Sequence, residues 1–399
     1  MKKESVAVIF GGRSVEHEVS VITGHQVMDA LSAAGYSLLP IYIAKGGEWY
    51  AGRALYQIRQ YSDPSFRVEG LRDVHRISLS PDRSIRQLLL HPDAKTGFLK
   101  KPPLLWADVF FPAVHGSMGE DGTLQGVFEL ADVPYVGSNV LASAVGMDKV
   151  RMKAVFKDAG IPVIDCLPFS RGEWKSGRDA IASRAETFCG YPMMVKPVSL
   201  GSSIGIRRCS TPAELAEAID VAFELDERVL VERALLNFID VNCSVLGPPE
   251  EASVCEQPCR SEGILTFEDK YNQGGKGIKG GGIKGGMASQ ARLIPAPISP
   301  EMTARIQDLS RKAFRALGAS GVARIDFLLD TSDQSLYLNE INTLPGALSF
   351  YLWEASGVPF DELVSRLIGL ALERHRTRSE TRFSFEANLL RAGEARKKP

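Results

Sequence analysis

The chain has 399 residues, 44% hydrophobic and 24% charged, enough for two or three globular domains with a sizeable core. Its 47 basic and 48 acidic side chains nearly cancel, which argues against non-specific binding to nucleic acid or to an anionic membrane. No apolar run approaches the roughly 18 to 20 residues that cross a bilayer, and the N-terminal run ends in Gly11-Gly12-Arg13 without a small-residue cleavage site, so a buried first strand in a cytoplasmic protein is expected.

The first elements read clearly. Residues 6–10 form a short apolar run ending in Gly-Gly, a helical pattern follows over 14–33, Gly35 ends it, and 38–43 reads as a second strand. Strand, glycine turn, helix and strand together predict an α/β unit built on a parallel sheet. The stretch 51–101 is polar and poorly periodic, which predicts a surface excursion with short elements. Residues 106–115 read as a buried strand running into a glycine-rich loop, and 123–131 as a helix. A boundary is expected near 138–143, before a charged helical stretch at 148–159.

Short strands are predicted at 192–197, 205–208, 229–232 and 241–246, the pattern of a small α+β domain. A helix over 300–317, strands over 323–329 and 336–341, and a helix over 359–374 complete the ordered part. The charged tail, 376–399, is expected to be partly disordered. Residues 274–286 read GGKGIKGGGIKGG, with one pentapeptide given twice in succession. So much glycine holds neither helix nor strand unaided, so this is either a working loop or a passive insertion. The six cysteines (166, 189, 209, 243, 255 and 259) are dilute, have no second pair at zinc spacing, and are expected to be reduced structural thiols.

Four clusters could carry chemistry. Arg324-Ile-Asp326 and Glu340-Ile-Asn342 each place two polar groups on one face of a strand whose neighbours are apolar. Asp, Glu and Asn are hard oxygen donors suited to Mg²⁺ beside phosphate, and Arg324 could neutralise a developing oxyanion. The alternative is an exposed strand face with a surface salt bridge. Lys196 at a strand end precedes Ser-Leu-Gly-Ser-Ser-Ile-Gly at 199–205, small residues that let backbone N–H groups approach phosphate. It is not a Walker A loop, because the Gly-Lys-Ser/Thr ending is missing. His115 opens a glycine loop at the carboxyl end of a strand, where open α/β sheets bind ligands. Glu16 follows Gly11-Gly12 and stands either as a helix-dipole partner or as an acceptor for a substrate ammonium.

Taken together, the segments FGGRSVEHEVS, HGSMGEDGTLQG, PYVGSN with MDKVRMK, VKPVSLGSSIGI, FEDKY, ARIDF and LNEINTLPG resemble the D-alanine–D-alanine ligases of the ATP-grasp superfamily, over about residues 5–372. The resemblance implies a three-domain fold of α/β and α+β type: a parallel-sheet N-terminal domain (1–140), a central ATP-grasp subdomain (141–232) and a C-terminal one with the metal site (233–375). It implies ATP and two Mg²⁺ (or Mn²⁺) ions, D-alanine as substrate, and a homodimer. By motif position, Lys149 and Lys196 would contact ATP phosphates, Glu232 would lie at the adenine and Lys270 near the γ-phosphate. Asp326, Glu340 and Asn342 would bind the metals. Glu16 would hold the first D-alanine's ammonium, with His115 near its carboxylate. Ser202 and Tyr271 would link to Glu16. Arg324 and the Gly346 backbone would stabilise the tetrahedral intermediate.

Three departures from the family pattern stand out. Asp240 replaces the usual ribose-binding Glu, within the altered stretch ALLNFIDVNC. The loop after Tyr271 is longer and richer in glycine and lysine. Tyr351 stands where many relatives have a small hydroxyl residue, in the segment that helps receive the second substrate's carboxylate. The resemblance therefore implies ATP-dependent ligation of two D-alanines through an acyl phosphate. The same chemistry with D-serine, D-lactate or another amino acid is the alternative, although Tyr271 favours an amine acceptor. A nucleotide-binding protein without turnover is a third, motivated by Asp240 and the expanded loop.

Overall fold

A computed structural model of the chain describes residues 3–91, 104–201, 203–259 and 291–384. They form three sheets with helices packed against them. The first contains β1 (Ser5–Gly11), β2 (Ser37–Ile43), β3 (Trp49–Ala51), β4 (His75–Ser78), β5 (Leu89–Leu90) and β6 (Val109–Pro112), in the order β5-β4-β3-β2-β1-β6. β1 pairs in parallel with β2 and β6, as the sequence predicts, because the helix His17–Ala33 returns the chain across the sheet. β1 is apolar on both faces, the pattern of a strand covered on both sides, and Val6 to Phe10 have no solvent exposure.

The remaining strands of this sheet are antiparallel, so it is mixed. β3, β4 and β5 extend it through the stretch expected to be a surface excursion. The sixth strand is shorter than the expected 106–115, spanning Val109–Pro112.

The second sheet contains β7 (Cys166–Ser170), β8 (Met193–Pro197), β9 (Arg207–Cys209) and β10 (Arg228–Arg233), in the order β7-β10-β8-β9 and antiparallel throughout. The helices Arg178–Cys189 and Pro212–Leu225 cover it, burying Ile181, Leu215 and Ile219 against Val195 and Val229.

The third sheet contains β11 (Phe238–Gly247), β12 (Glu251–Pro258), β13 (Arg292–Leu293), β14 (Gly321–Asp330) and β15 (Leu336–Asn342), in the order β13-β12-β11-β14-β15, also antiparallel. The helix Pro300–Ala316 buries Ile306, Ala313 and Phe314 against it. The sequence-adjacent helix Lys149–Asp158 joins this same core through Met152 and Phe156, although it precedes the second sheet in the chain.

The last helix, Phe360–Ser379, packs back on the first core through Leu363, Val364 and Leu367. It runs past the expected end at 374, so residues 376–379, placed in the tail by the sequence pattern, are helical. Chain segments thus cross between the sheets in both directions, and this brings the loops at their ends together.

Candidate active site

The loops that follow β1 and β6 meet over the start of helix His17–Ala33. Ser20 joins them: its hydroxyl accepts from the Gly11 N–H at 2.8 Å and donates to the Ala113 carbonyl at 2.6 Å. Glu16, the residue before the helix, is only 5% exposed. Its carboxylate presses on Gly116, where a Cβ would lie 2.7 Å from Glu16 Oε2 and where φ is +73°. The positive φ favours glycine there, and any side chain would also displace the Glu16 carboxylate. Glu16 Oε2 also lies 3.8 Å from the Cβ position of Gly201, which brings the glycine-serine loop after β8 up to the first helix.

His115 is buried beside Glu16. Its Nδ1 lies 3.1 Å from the Leu344 carbonyl and 3.9 Å from Glu120 Oε1, and its Nε2 lies 2.9 Å from Thr23 Oγ1. Burial opposes its charge, but Glu120 and Glu16 outweigh that and raise its pKa above the ordinary imidazole range. A histidine that favours the imidazolium suits a carboxylate ligand.

A second group gathers on the lysines. Asp148 caps helix Lys149–Asp158 by accepting from the Val150 and Arg151 N–H groups, and it also pairs with Arg228 at 2.5 Å. The cap sets Lys149 in the first turn, where its ammonium donates to the Leu200 carbonyl and lies 3.8 Å from Glu340. Lys153, one turn on, reaches Glu232 and the Ile164 carbonyl. Lys196 meets the other oxygen of Glu232 at 2.6 Å and Asn339 Oδ1 at 3.0 Å. Glu232, 1% exposed, is therefore clasped by two lysines. Burial alone would raise its pKa; Lys196 and Lys153 reverse this and bring it down to about 2. The glutamate holds Lys196 and Lys153 in place, and Asn339 ties Lys196 to the strand that carries Glu340.

The third group is a polar row across the third sheet. The register sets Glu340 opposite Asp326, Asp326 opposite Asn242, and Asn242 opposite Glu256. Arg324 and Asp326, two residues apart on one strand face, form a bidentate pair with both contacts at 2.6 Å, and Asn342 donates to Asp326 at 3.3 Å. Asp326 outweighs the burial of Arg324 and holds the guanidinium pKa above its ordinary value. The surface salt bridge weighed as an alternative does not fit, because Arg324 is buried.

The row continues past the residues the motifs single out. Asn242 donates to Glu256 at 3.1 Å, and Arg292 pairs with Glu256 at 2.8 Å while its guanidinium stands 3.7 Å above the Tyr351 ring. The Tyr351 hydroxyl donates to Glu256 at 3.1 Å, and burial, with Glu256 beside it, pushes the phenol up to about 12. Asp240, opposite Leu328, lies two residues before Asn242 and so on the same face of β11.

The structure thus gathers Glu16, His115, Lys149, Lys196, Glu232, Arg324, Asp326, Glu340, Asn342 and the Gly346 turn at the junction of the three sheets. Ser202, Lys270, Tyr271 and the 274–286 repeat lie outside the described residues. Among the described residues no group of three or more His, Cys, Asp or Glu side chains is arranged to hold a metal. The cysteines described are all unpaired thiols. Sequence reasoning missed Thr23, Lys153, Glu256 and Arg292. Lys153 was discoverable at helical spacing from Lys149, and Thr23 two helical turns from Glu16. Glu256 and Arg292 gave no signal, because β12 and β13 were not predicted.

Buried lysines, a carboxylate row and a buried arginine at the meeting of three sheets suit an ATP-dependent ligase, and the chain's similarity to known proteins places it in that class. Residues 5–138 match the family described as D-ala D-ala ligase N-terminus, and residues 155–369 match D-ala D-ala ligase C-terminus. The chain belongs to the D-alanine–D-alanine ligase family. It is 40% identical over 382 residues to the D-alanine–D-alanine ligase of Heliobacterium modesticaldum, covering 94% of this chain and 96% of that one. With the enzyme of that name from Geobacillus thermodenitrificans it shares 36% over 389 residues, 96% of this chain and all of that one (100%). The fold superposes on the D-alanine–D-alanine ligase of Coxiella burnetii with a TM-score of 0.77 at 29% identity, covering 99% of each chain. It also superposes on the VanG D-Ala:D-Ser ligase of Enterococcus faecalis, with a TM-score of 0.75 at 31% identity, covering 92% of this chain and 99% of that one.

Proposed function

We propose that this ligase joins two D-alanines into D-alanyl-D-alanine for cell-wall precursor synthesis. The observation that carries the reading is the joining of the buried lysines to the strand of the polar row, through Lys149 to Glu340 and Lys196 to the neighbouring Asn339. It puts phosphate-neutralising cations beside oxygen donors suited to Mg²⁺ or Mn²⁺. Asp326, Glu340 and Asn342 fit such ions, because a carboxylate that accepts two N–H bonds from Arg324 keeps lone pairs for a cation. When bound, the ions would screen the charge on the ATP phosphates.

In this reading one D-alanine lies between Glu16, which takes its ammonium, and His115, whose positive ring faces its carboxylate. A carboxylate oxygen attacks the γ-phosphorus, ADP leaves, and an acyl phosphate forms. The second D-alanine's amine attacks the acyl carbon, loses a proton, and expels phosphate. Lys149 and Lys196 hold the nucleotide, with Lys270 added at the γ-phosphate. Arg324 and the Gly346 backbone face the oxyanion. Catalysis then comes from positioning and fixed charge. Glu232 serves the nucleotide by orienting its lysines as well as by lying near the adenine, and Asp240 takes the ribose. Ser202 and Tyr271 close the site over Glu16. We further propose domains at 1–140, 141–232 and 233–375 and a cytoplasmic homodimer. No helix among the described residues is long and apolar enough to cross a membrane.

The acceptor is the point to test, because Tyr351 stands where the family resemblance implies a small hydroxyl residue, with Arg292 packed on its ring, and one similar structure is that of a D-Ala:D-Ser ligase. Enzyme supplied with ATP and an equimolar mixture of D-alanine, D-serine and D-lactate is expected to yield D-alanyl-D-alanine as the main product by mass spectrometry. A main product ending in D-serine or D-lactate would refute the acceptor while leaving the activation step standing.

A further inference from the structure

Gly346 stands between two backbone groups that are both tied to the first sheet's side of the molecule. Before it, the Leu344 carbonyl accepts from His115 Nδ1 at 3.1 Å; after it, the Ala347 N–H donates to Thr23 Oγ1 at 3.2 Å. The two ties are joined, because His115 Nε2 lies 2.9 Å from that same Thr23 oxygen. Leu344, His115, Thr23 and Ala347 therefore close a circuit around Pro345 and Gly346. Thr23 is 2% exposed and His115 3%, so water does not substitute for these bonds.

The hydrogen accounting is consistent in either charge state of the ring. Nδ1 faces a carbonyl and must carry a hydrogen. Nε2 accepts from the Thr23 hydroxyl when the ring is neutral and donates to it when the ring is charged. The Thr23 oxygen accepts from Ala347 in both states.

The turn needs such holding. Ala347 (φ 53°, ψ 22°), Leu348 (φ 53°, ψ 19°) and Ser349 (φ 50°, ψ 32°) are three successive non-glycine residues in the left-handed region. L-residues visit that region singly, not in runs, unless their surroundings over-determine them. Within the turn, the Leu348 N–H reaches the Pro345 carbonyl at 2.8 Å. The external tie at its start is Thr23, on the helix whose first turn follows Glu16.

We propose that Thr23 is a positioning residue for the ligation: it locks His115 and the Gly346 turn into one unit, so that the donor's carboxylate site and the oxyanion site keep a fixed separation. The inference rests on the reading of His115 and Gly346 as substrate-facing groups. Thr23 itself touches no substrate.

Thr23→Val keeps the shape and removes the hydroxyl. Its kcat for dipeptide formation is expected to fall about tenfold to a hundredfold, the scale of a misplaced catalytic group, with the KM for ATP unchanged. Thr23→Ser restores most of the rate. The double variant Thr23→Val/His115→Gln is expected to lose no more than the worse single variant, because the two act as one unit. A folded Thr23→Val enzyme with wild-type kcat overturns the proposal, as do losses that simply add in the double variant. Should the valine variant not fold, Thr23→Ser and Thr23→Ala decide: an alanine enzyme as fast as the serine one also overturns it. His115→Gln alone separates the two levels. Wild-type D-alanine kinetics in that variant refute the site reading itself. An impaired His115→Gln beside an unimpaired Thr23→Val refutes only the role of Thr23.

Discussion

Glu232 shows how a single side chain organises the lysine side of the site. A carboxylate that is 1% exposed survives there because Lys153 and Lys196 take one oxygen each. Glu232→Gln would leave two buried ammonium groups without their counter-charge and is expected to cost about 3–5 kcal/mol in denaturant unfolding. The acid limb has a definite sign. The folded-state pKa of about 2 lies below the ordinary 4.5, so the stabilisation is in full force above about pH 4.5 and fades as pH falls towards 2. Wild-type stability is expected to fall through that window, and the Gln variant to fall less. Tyr351 makes a smaller claim. Tyr351→Phe keeps the ring under Arg292 and loses the bond to Glu256, so it is expected to cost about 0.5–1.5 kcal/mol by thermal or denaturant unfolding.

At the scale of elements, site residues are set by how strands and helices begin and end. Asp148 illustrates it: the cap of helix Lys149–Asp158 is also what aims Lys149 at Leu200 and Glu340. Asp148→Ala is expected to destabilise the protein by about 1–2 kcal/mol and to raise the KM for ATP. Asp148→Asn, which keeps a capping oxygen, is expected to lose less; equal effects of the two would show that the Arg228 pair, not the cap, sets Lys149. The same scale explains what the sequence could and could not reveal. β1, β14 and β15 were legible because an apolar strand ending in glycines, or alternating polar residues among buried ones, leaves a clear period. β3, β4 and β5 were not, since strands of three, four and two residues are too short for alternation to show. Helix Val140–Met147, VLASAVGM, carries no polar face to mark its period. The left-handed run at 347–349 has no glycine in it, so turn chemistry gave no warning, and its ties to Thr23 and His115 span more than 200 residues.

At the scale of the whole molecule, the site exists only where three sheets meet, and each contributes something the others lack. The first supplies Glu16 and His115, the second Lys196 and Glu232, the third Arg324 and the oxygen donors. A ligand that bridges them should stabilise them together. A non-hydrolysable ATP analogue at a hundred times its Kd is expected to add about 2.7 kcal/mol to the unfolding free energy. Lys196→Met is expected to remove most of that gain. The 274–286 repeat belongs to this scale too. If it works with the site, deleting 277–286 lowers turnover more than stability, whereas an unchanged rate shows a passive insertion. The central claim is that ATP activates the carboxylate of D-alanine as an acyl phosphate. It is tested most directly by supplying D-alanine with both carboxylate oxygens labelled as ¹⁸O and following the label. The account predicts one ¹⁸O in each phosphate released, carried over from the carboxylate. Dipeptide formed with unlabelled phosphate would contradict it.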